Sequence, residues 1–98
     1  MKRPERLKIL GKRYAVNWGA ELEDGLNGCN DSDTLEIKVR NGLKLETEQD
    51  VLLHEVMHGV EAQMGLDLEE TVIERLATGL LAVLKDNPKF VRYLSAKK

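Results

Sequence analysis

The fold and the candidate site both depend on residues 51–63, VLLHEVMHGVEAQ, which contain the pattern H-E-x-x-H at His54, Glu55 and His58. Residues four apart lie on one face of a helix, one turn apart, so the two imidazoles can point at one metal ion. Glu55 lies about 100° round the helix axis from His54, close enough to reach a water on that ion. The pattern therefore predicts a helix that carries two metal ligands and an adjacent carboxylate.

Two further features support a metal site on this helix. The chain has only two histidines, and both belong to the pattern. The apolar residues around them recur at helical spacing: Val51, Leu52, Leu53, Val56, Met57, Val60 and Met64. A hydrolytic zinc site needs nitrogen ligands beside a carboxylate that accepts a proton from water, so Zn²⁺ is the expected cofactor. The alternative is an ordinary core helix with two histidines at its boundary.

Composition limits the classes of protein that the chain can represent. Its 98 residues suffice for one domain, residues 1–98, and its 15 basic and 17 acidic residues leave a formal charge of −2, which does not suggest a nucleic-acid surface. Cys29 is the single cysteine, which excludes an intrachain disulfide and fits a reducing compartment. No stretch approaches the roughly 20 apolar residues of a membrane span. We therefore expect a cytoplasmic protein without a nucleic-acid or membrane partner, and its oligomeric state stays open.

Alternation of apolar and polar residues predicts a small N-terminal sheet. The strands are expected at Leu7–Leu10, Arg13–Trp18 and Leu35–Arg40. Turn residues dominate positions 19–34, with room for a short strand at Leu26–Cys29. The first two strands form either a tight hairpin or one strand bent at Gly11, and residues 1–6 are expected to be loose. The sequence therefore predicts an α+β fold in which a twisted sheet of about three strands packs on helices.

The helical pattern predicts two main helices and a short C-terminal one: Glu48–Met64, Asp67–Lys85 and Pro88–Leu94. Thr47 is expected to cap the first helix, with Asp50 placed like the acidic member of a capping box. Gly65 is a good terminator for this metal helix. Asp67 is the expected cap of the second helix, and Asn87–Pro88 is expected to end it.

Two histidines do not complete a catalytic zinc site, which usually has three protein ligands and one open position. The second helix offers the third ligand, because Glu70 falls between Ala77 and Leu81 inside its apolar arc. An acid that faces a core is costly unless it is paired or binds metal. Glu74 lies at the edge of that arc and is expected to accept a hydrogen bond from one imidazole. The alternatives are that Glu74 or Glu69 is the ligand, or that Glu70 only completes a capping box.

With these residues in place, the chain resembles the gluzincins, metallopeptidases whose third ligand is a glutamate on a helix that follows H-E-x-x-H. Its size suggests the minimal form, the minigluzincins, and it is also similar to small phage and prophage metallopeptidases. Glu70, Glu74 and Ala77 match the family pattern E-x-x-x-(D/N/E)-x-x-A, although aspartate or asparagine is more usual at the position of Glu74. The resemblance covers most of the chain from residue 35 to residue 88 and implies a zincin-like fold.

The resemblance further implies hydrolysis of a peptide or protein substrate at a peptide bond. Zn²⁺ would be held by His54, His58 and Glu70, and Glu55 would be the general base. In such enzymes the strand beside the metal binds an extended substrate by its exposed edge, and Leu35–Val39 is the expected edge strand.

Two other functions are compatible with the sequence. The first is a binding or regulatory module that contains metal but has no proteolytic activity, although Glu55 argues against a purely structural site, which has no need of a base. The second is a metal-free module in which the apolar face of Leu76–Leu84 docks a partner helix. The residue that would stabilise an oxyanion is unassigned: Tyr14 and Tyr93 have suitable hydroxyls, and packing is the alternative role for both.

Overall fold

The computed structural model describes residues 2–97 and shows an α+β fold with one mixed sheet of four strands. The strands are β1 Arg6–Ile9, β2 Lys12–Ala20, β3 Gly28–Asp31 and β4 Glu36–Arg40. Their order across the sheet is β1-β2-β4-β3, with β2 and β4 parallel and the other two pairs antiparallel. The expected number of about three strands is therefore corrected to four, because the short segment near Cys29 does join the sheet.

The first two strands form a hairpin, which resolves the two options left open by the sequence. Ile9 pairs with Lys12, so the loop consists of Leu10 and Gly11. Both loop residues have positive φ, 47° and 88°, as a two-residue turn matched to the right-handed twist of the strands requires.

The strand predicted to form the free edge beside the site is in fact central. β4 pairs with β2 on one side and with β3 on the other, so Leu35–Val39 is wrong as the edge strand. The side chains of Ile37 and Val39 are fully buried, which agrees with this position. Within residues 2–97, β3 pairs with β4 alone, and β3 is therefore the edge strand at this end of the sheet.

Three helices follow the sheet: α1 Leu45–Met64, α2 Glu70–Asp86 and α3 Pro88–Ser95. Gly65 ends α1 in the left-handed conformation (φ 66°), as predicted. The predicted caps are wrong, because α1 begins after Lys44 and α2 after Glu69, neither of which makes a side-chain capping bond. Thr47 consequently lies inside α1, and Asp67 lies in the turn before α2. None of the helices in residues 2–97 combines the length and the apolar character needed to span a bilayer.

The core lies between one face of the sheet and α1. Its buried side chains come from β1, β2 and β4: Ile9, Tyr14, Val16, Ile37 and Val39. Apolar residues of α1 cover them, among them Val51, Val56 and Val60. α2 packs on α1 through the buried Ile73 and Ala77, and α3 packs on α2. This arrangement brings β3, α1 and the start of α2 to one side of the molecule.

The N-terminal segment, expected to be loose, is held at residues 3 and 4. Arg3 donates two hydrogen bonds, of 3.1 and 2.7 Å, to the carboxylate of Glu48, which is only 5% exposed. The Arg3 guanidinium also lies 5.0 Å from the ring centroid of Trp18, whose indole N–H donates to the carbonyl oxygen of Pro4. A bidentate ion pair and a cation–π contact therefore fix this segment against α1 and β2.

Candidate metal centre

The side chains of His54, His58 and Glu70 converge on one point. Nε2 of His54 lies 3.1 Å from Nε2 of His58. The Glu70 carboxylate lies 2.6 Å from His54 Nε2 through Oε1 and 3.0 Å from His58 Nε2 through Oε2. The structure thus brings together all three residues that the sequence predicted as ligands.

Helix geometry and a short turn produce this convergence. His54 and His58 are one turn apart on α1, and their rings meet edge to face with centroids 4.8 Å apart. Gly65 reverses the chain after α1, and Glu70 is the first residue of α2. Its position at the helix start places the carboxylate over the exposed side of the two imidazoles, so its side chain is 56% exposed while theirs are 19% and 25% exposed.

Two of the three separations between the donor atoms match the spacing of ligands on a tetrahedral Zn²⁺ ion. Ligands bonded at about 2.0–2.1 Å to such an ion lie about 3.3–3.4 Å from one another. With Oε1 of Glu70 as the carboxylate donor, the imidazole nitrogens lie 3.1 Å apart and Oε1 lies 3.4 Å from Nε2 of His58, both close to that value. Oε1 lies 2.6 Å from Nε2 of His54, which is about 0.7 Å shorter than the tetrahedral spacing. The carboxylate of Glu55 is also near, within 4.8 Å of both imidazoles, but Glu70 lies closer to each of them. A set of two histidines and one glutamate is the ligand set of known hydrolytic zinc sites.

The Glu55 carboxylate lies within 4.8 Å of both imidazoles, and the residue is only 7% exposed. Burial raises the pKa of its carboxyl group above the usual value, and the nearby His54 and His58 only partly oppose that rise. The backbone carbonyl of Glu55 accepts a hydrogen bond of 2.9 Å from the side-chain amide of Asn30, which ties α1 to β3 at this point. The arrangement supplies a shielded carboxylate that binds a proton more readily than an exposed one.

β3 lies close against α1 beside Glu55. A Cβ atom on Gly28 would lie 2.6 Å from Cγ1 of Val51 and 3.0 Å from Oε2 of Glu55, so only glycine fits there without a shift of the neighbours. A cleft of about 690 Å³ opens between residues 25–28 on one side and the metal-centre residues of α1 and α2 on the other. The start of the edge strand therefore forms one wall of the candidate site.

Glu61 is a site residue whose contact with His58 was not predicted from the sequence, where its position only three residues past His58 argues against it as a third ligand. Its Oε1 accepts a hydrogen bond of 3.0 Å from Nδ1 of His58, and its Oε2 accepts one of 2.7 Å from the backbone N–H of Leu68. Burial acts against protonation of His58, but the hydrogen bond to Glu61 and the charge of Glu70 outweigh it and raise the pKa of His58. The hydrogen bond from Leu68, followed by that from His58, lowers the pKa of Glu61. The available signal was its spacing, since residues three apart are neighbours on a helix.

The other residues considered from the sequence have different positions. Glu74 lines the cleft, but in the described residues no hydrogen bond joins it to either histidine, and Glu61 has the partner position predicted for it. Glu69 precedes α2 as its N-cap residue and does not line the cleft. Tyr14 is fully buried in the core and Tyr93 is 78% exposed on α3, so neither faces the candidate site.

Comparisons with protein-family models, curated proteins and solved structures find no match to this chain. The functional interpretation therefore depends on the H-E-x-x-H residues, on Glu70 and on the geometry that joins them.

Proposed function

We propose that the chain is a zinc-dependent hydrolase of peptide bonds with a zincin-like fold. One observation carries the proposal: two histidine nitrogens and a glutamate carboxylate converge within coordinating distance of a common point, with Glu55 buried beside them. A purely structural zinc site usually has four protein ligands and has no use for an adjacent buried carboxylate.

The chemistry assigned to the chain's own residues is proton transfer. A divalent cation held by the three ligands would supply the Lewis acidity that lowers the pKa of water toward neutrality. Glu55 accepts the proton of the attacking water and later delivers it to the leaving nitrogen of the peptide bond. Its position supports this role, because the carboxylate lies within 4.8 Å of both imidazoles and is shielded from solvent.

The proposed substrate is an extended peptide that binds along β3. This strand replaces Leu35–Val39 in that role, because β4 has partners on both sides whereas β3 has one. Residues 25–28 line the cleft, and Gly28 brings the start of β3 close to Glu55. Addition of a strand to a free sheet edge is a general mode of peptide binding.

The identity of the ion and the compartment are parts of the same proposal. Two imidazoles and a carboxylate suit Zn²⁺ better than a hard cation such as Mg²⁺ or Ca²⁺. The single Cys29 is compatible with a reducing compartment, and we place the protein in the cytoplasm on that basis.

Zinc content of three alanine variants tests the ligand set. We expect the wild-type chain to bind one zinc ion, Glu70→Ala to lose most of its affinity, and Glu74→Ala to bind nearly as well as wild type. Glu69→Ala is the matched control, because it removes a neighbouring carboxylate that does not line the cleft. Full zinc content in Glu70→Ala together with loss in Glu74→Ala would show that the third ligand is assigned to the wrong glutamate.

Cleavage of a peptide library tests the activity itself. Glu55→Gln should retain zinc but lose turnover by roughly 10²- to 10⁴-fold, the range typical of removing a general acid–base group. Normal turnover in this variant would remove Glu55 as the base. Tight zinc binding by the wild-type chain without cleavage of any peptide would favour the binding or regulatory module instead.

A further inference from the structure

The Glu61 carboxylate joins the second histidine to the turn that leads to the third ligand. One oxygen accepts from Nδ1 of His58 and the other from the backbone N–H of Leu68, two residues before Glu70. The Glu61 side chain is 15% exposed, and its bond with His58 is partly buried, whereas its bond with Leu68 lies at the surface. One side chain is therefore bonded both to a ligand and to the segment that positions another ligand.

The contact with His58 selects one form of its ring. A carboxylate at Nδ1 keeps the proton on that nitrogen, which leaves the Nε2 lone pair available for a cation. Nε2 is the atom that faces His54 and Glu70. The hydrogen bond also fixes the rotation of the imidazole, because Glu61 lies on the same rigid helix one turn further along.

The contact with Leu68 fixes the connection between the two helices. Glu61 is bonded to this connection twice, since its backbone carbonyl accepts from the N–H of Leu66 and its carboxylate accepts from the N–H of Leu68. Only residues 65–69 separate α1 from α2, so a displacement of this turn would move Glu70 directly. A charged acceptor makes the Leu68 bond stronger than a neutral one would.

We propose that Glu61 is a positioning residue that aligns His58 and Glu70 with each other, so that both reach the same cation. This inference rests on the proposed metal centre and adds the device that assembles it. Loss of the carboxylate releases the His58 ring and the α1–α2 turn together, and affinity for the metal falls although all three ligands are still present.

Zinc affinity of the full chain, measured by competition with a chromophoric chelator, tests the proposal. We expect Glu61→Gln and Glu61→Ala to bind zinc roughly 10- to 100-fold more weakly than wild type, the usual effect of removing a partner of a ligand. Glutamine can accept from only one of the two donors, so Glu61→Gln breaks one contact and Glu61→Ala both. Glu46→Gln is the matched control, because it removes the same charge from an exposed position of the same helix and should stay within about twofold of wild type.

Two further measurements separate positioning from general support of the fold. Thermal unfolding in excess chelator reports the metal-free fold, and the absorption spectrum of the Co²⁺-loaded protein reports ligand geometry. We expect the spectrum to change in Glu61→Gln but not in Glu46→Gln, while metal-free Glu61→Gln remains folded at the temperature of the titration. Wild-type zinc affinity in both Glu61 variants would overturn the inference, as would failure of both to fold without metal. Absence of zinc binding by the wild-type chain would overturn the metal centre as well, so the two failures are distinguishable.

Discussion

Replacing Gly59 by alanine tests how closely α1 lies against the sheet, and replacing Gly79 by alanine is the matched control. Both glycines are inside helices, Gly59 in α1 and Gly79 in α2. A Cβ on Gly59 would lie 2.9 Å from Cδ1 of the buried Ile9 and 3.2 Å from Nδ2 of Asn30, whereas one on Gly79 meets nothing within 4 Å. Asn30 cannot easily yield, because the same amide donates to the carbonyl oxygen of Glu55.

The expected magnitudes follow from two opposing effects. Alanine is favoured over glycine in a helix interior by about 1 kcal/mol, and this gain applies to both variants. Extra atoms forced into a packed core cost about 1–3 kcal/mol, and this cost applies only to Gly59→Ala. Gly79→Ala should therefore raise the free energy of unfolding by up to about 1 kcal/mol, and Gly59→Ala should lower it by up to about 2 kcal/mol.

Thermal unfolding followed by circular dichroism in excess chelator measures the difference without a contribution from bound metal. In a domain of this size, 1 kcal/mol shifts Tm by roughly 4–8 °C, so Gly59→Ala should unfold at least about 4 °C below Gly79→Ala. Zinc affinity should also fall in Gly59→Ala, which lies next to His58. If the two variants have the same Tm, or if Gly59→Ala is the more stable, α1 does not lie as close to Ile9 as the 2.9 Å approach requires.

Three further predictions concern the sheet, a turn and the N-terminal segment. Gly28→Ala should lower the free energy of unfolding in urea by about 1–3 kcal/mol and reduce turnover in peptide assays, because its Cβ has no space beside α1. Gly19→Ala is the control and should change stability and turnover little, because a Cβ there meets nothing within 4 Å. Backbone N–H groups of the following turn lower the pKa of Asp31, so Asp31→Ala should be less stable than wild type at pH 7. The difference in stability between the two should shrink as the pH falls from about 3.8 through the native pKa, and equal stabilities at pH 7 would contradict the prediction. Arg3→Ala should lower the free energy of unfolding in urea by about 1–3 kcal/mol, because it leaves the buried Glu48 carboxylate without its partner. Adding Glu48→Gln to Arg3→Ala should recover part of that loss, and no recovery would contradict the ion pair.

Local patterns in the sequence predicted where the strands and helices are, but they did not predict which of these elements pair or pack with each other. The alternation in residues 35–40 correctly indicated a strand with one buried face, since alternation reports which side chains face the core. It carries no information on whether a strand has one partner or two, because backbone pairing does not depend on the outward side chains. The parallel pairing of β2 with β4 joins residues about 20 apart in sequence, and nothing local specifies it.

The helix starts were mispredicted for a related reason. Thr47 and Asp67 have the chemistry of caps, but α1 and α2 begin elsewhere without a side-chain cap. Before α2, the backbone N–H of Leu68 donates a hydrogen bond to the Glu61 carboxylate, so a residue of the preceding helix supplies the acceptor there. Capping patterns consider only adjacent positions, so they predict local caps and cannot indicate a hydrogen-bond acceptor such as Glu61, seven residues before Leu68.

Glu70 was predicted because an acid inside the apolar arc of α2 conflicts with ordinary helix patterning, although its side chain proves to be 56% exposed rather than buried. An acid placed in an apolar arc needs a partner, and the structure supplies two imidazoles. Glu61 raised no such conflict, since it lies outside the apolar face of α1 and satisfies ordinary helix patterning. The role proposed for it depends on the turn that folds back onto it, which is a tertiary feature.

Two glycines link the packing of the fold to the chemistry of the site. Gly59 lets β1 approach α1, and Gly28 lets β3 approach the same helix beside Glu55. The close approach of β3 removes water from around Glu55, and that loss of solvation is the main cause of its raised pKa. A folded-state pKa above the unfolded value means that this carboxylate destabilises the metal-free fold once the pH rises above the unfolded value. The metal-free fold is therefore less stable because of a buried carboxylate at the residue to which the proposed reaction assigns the role of base.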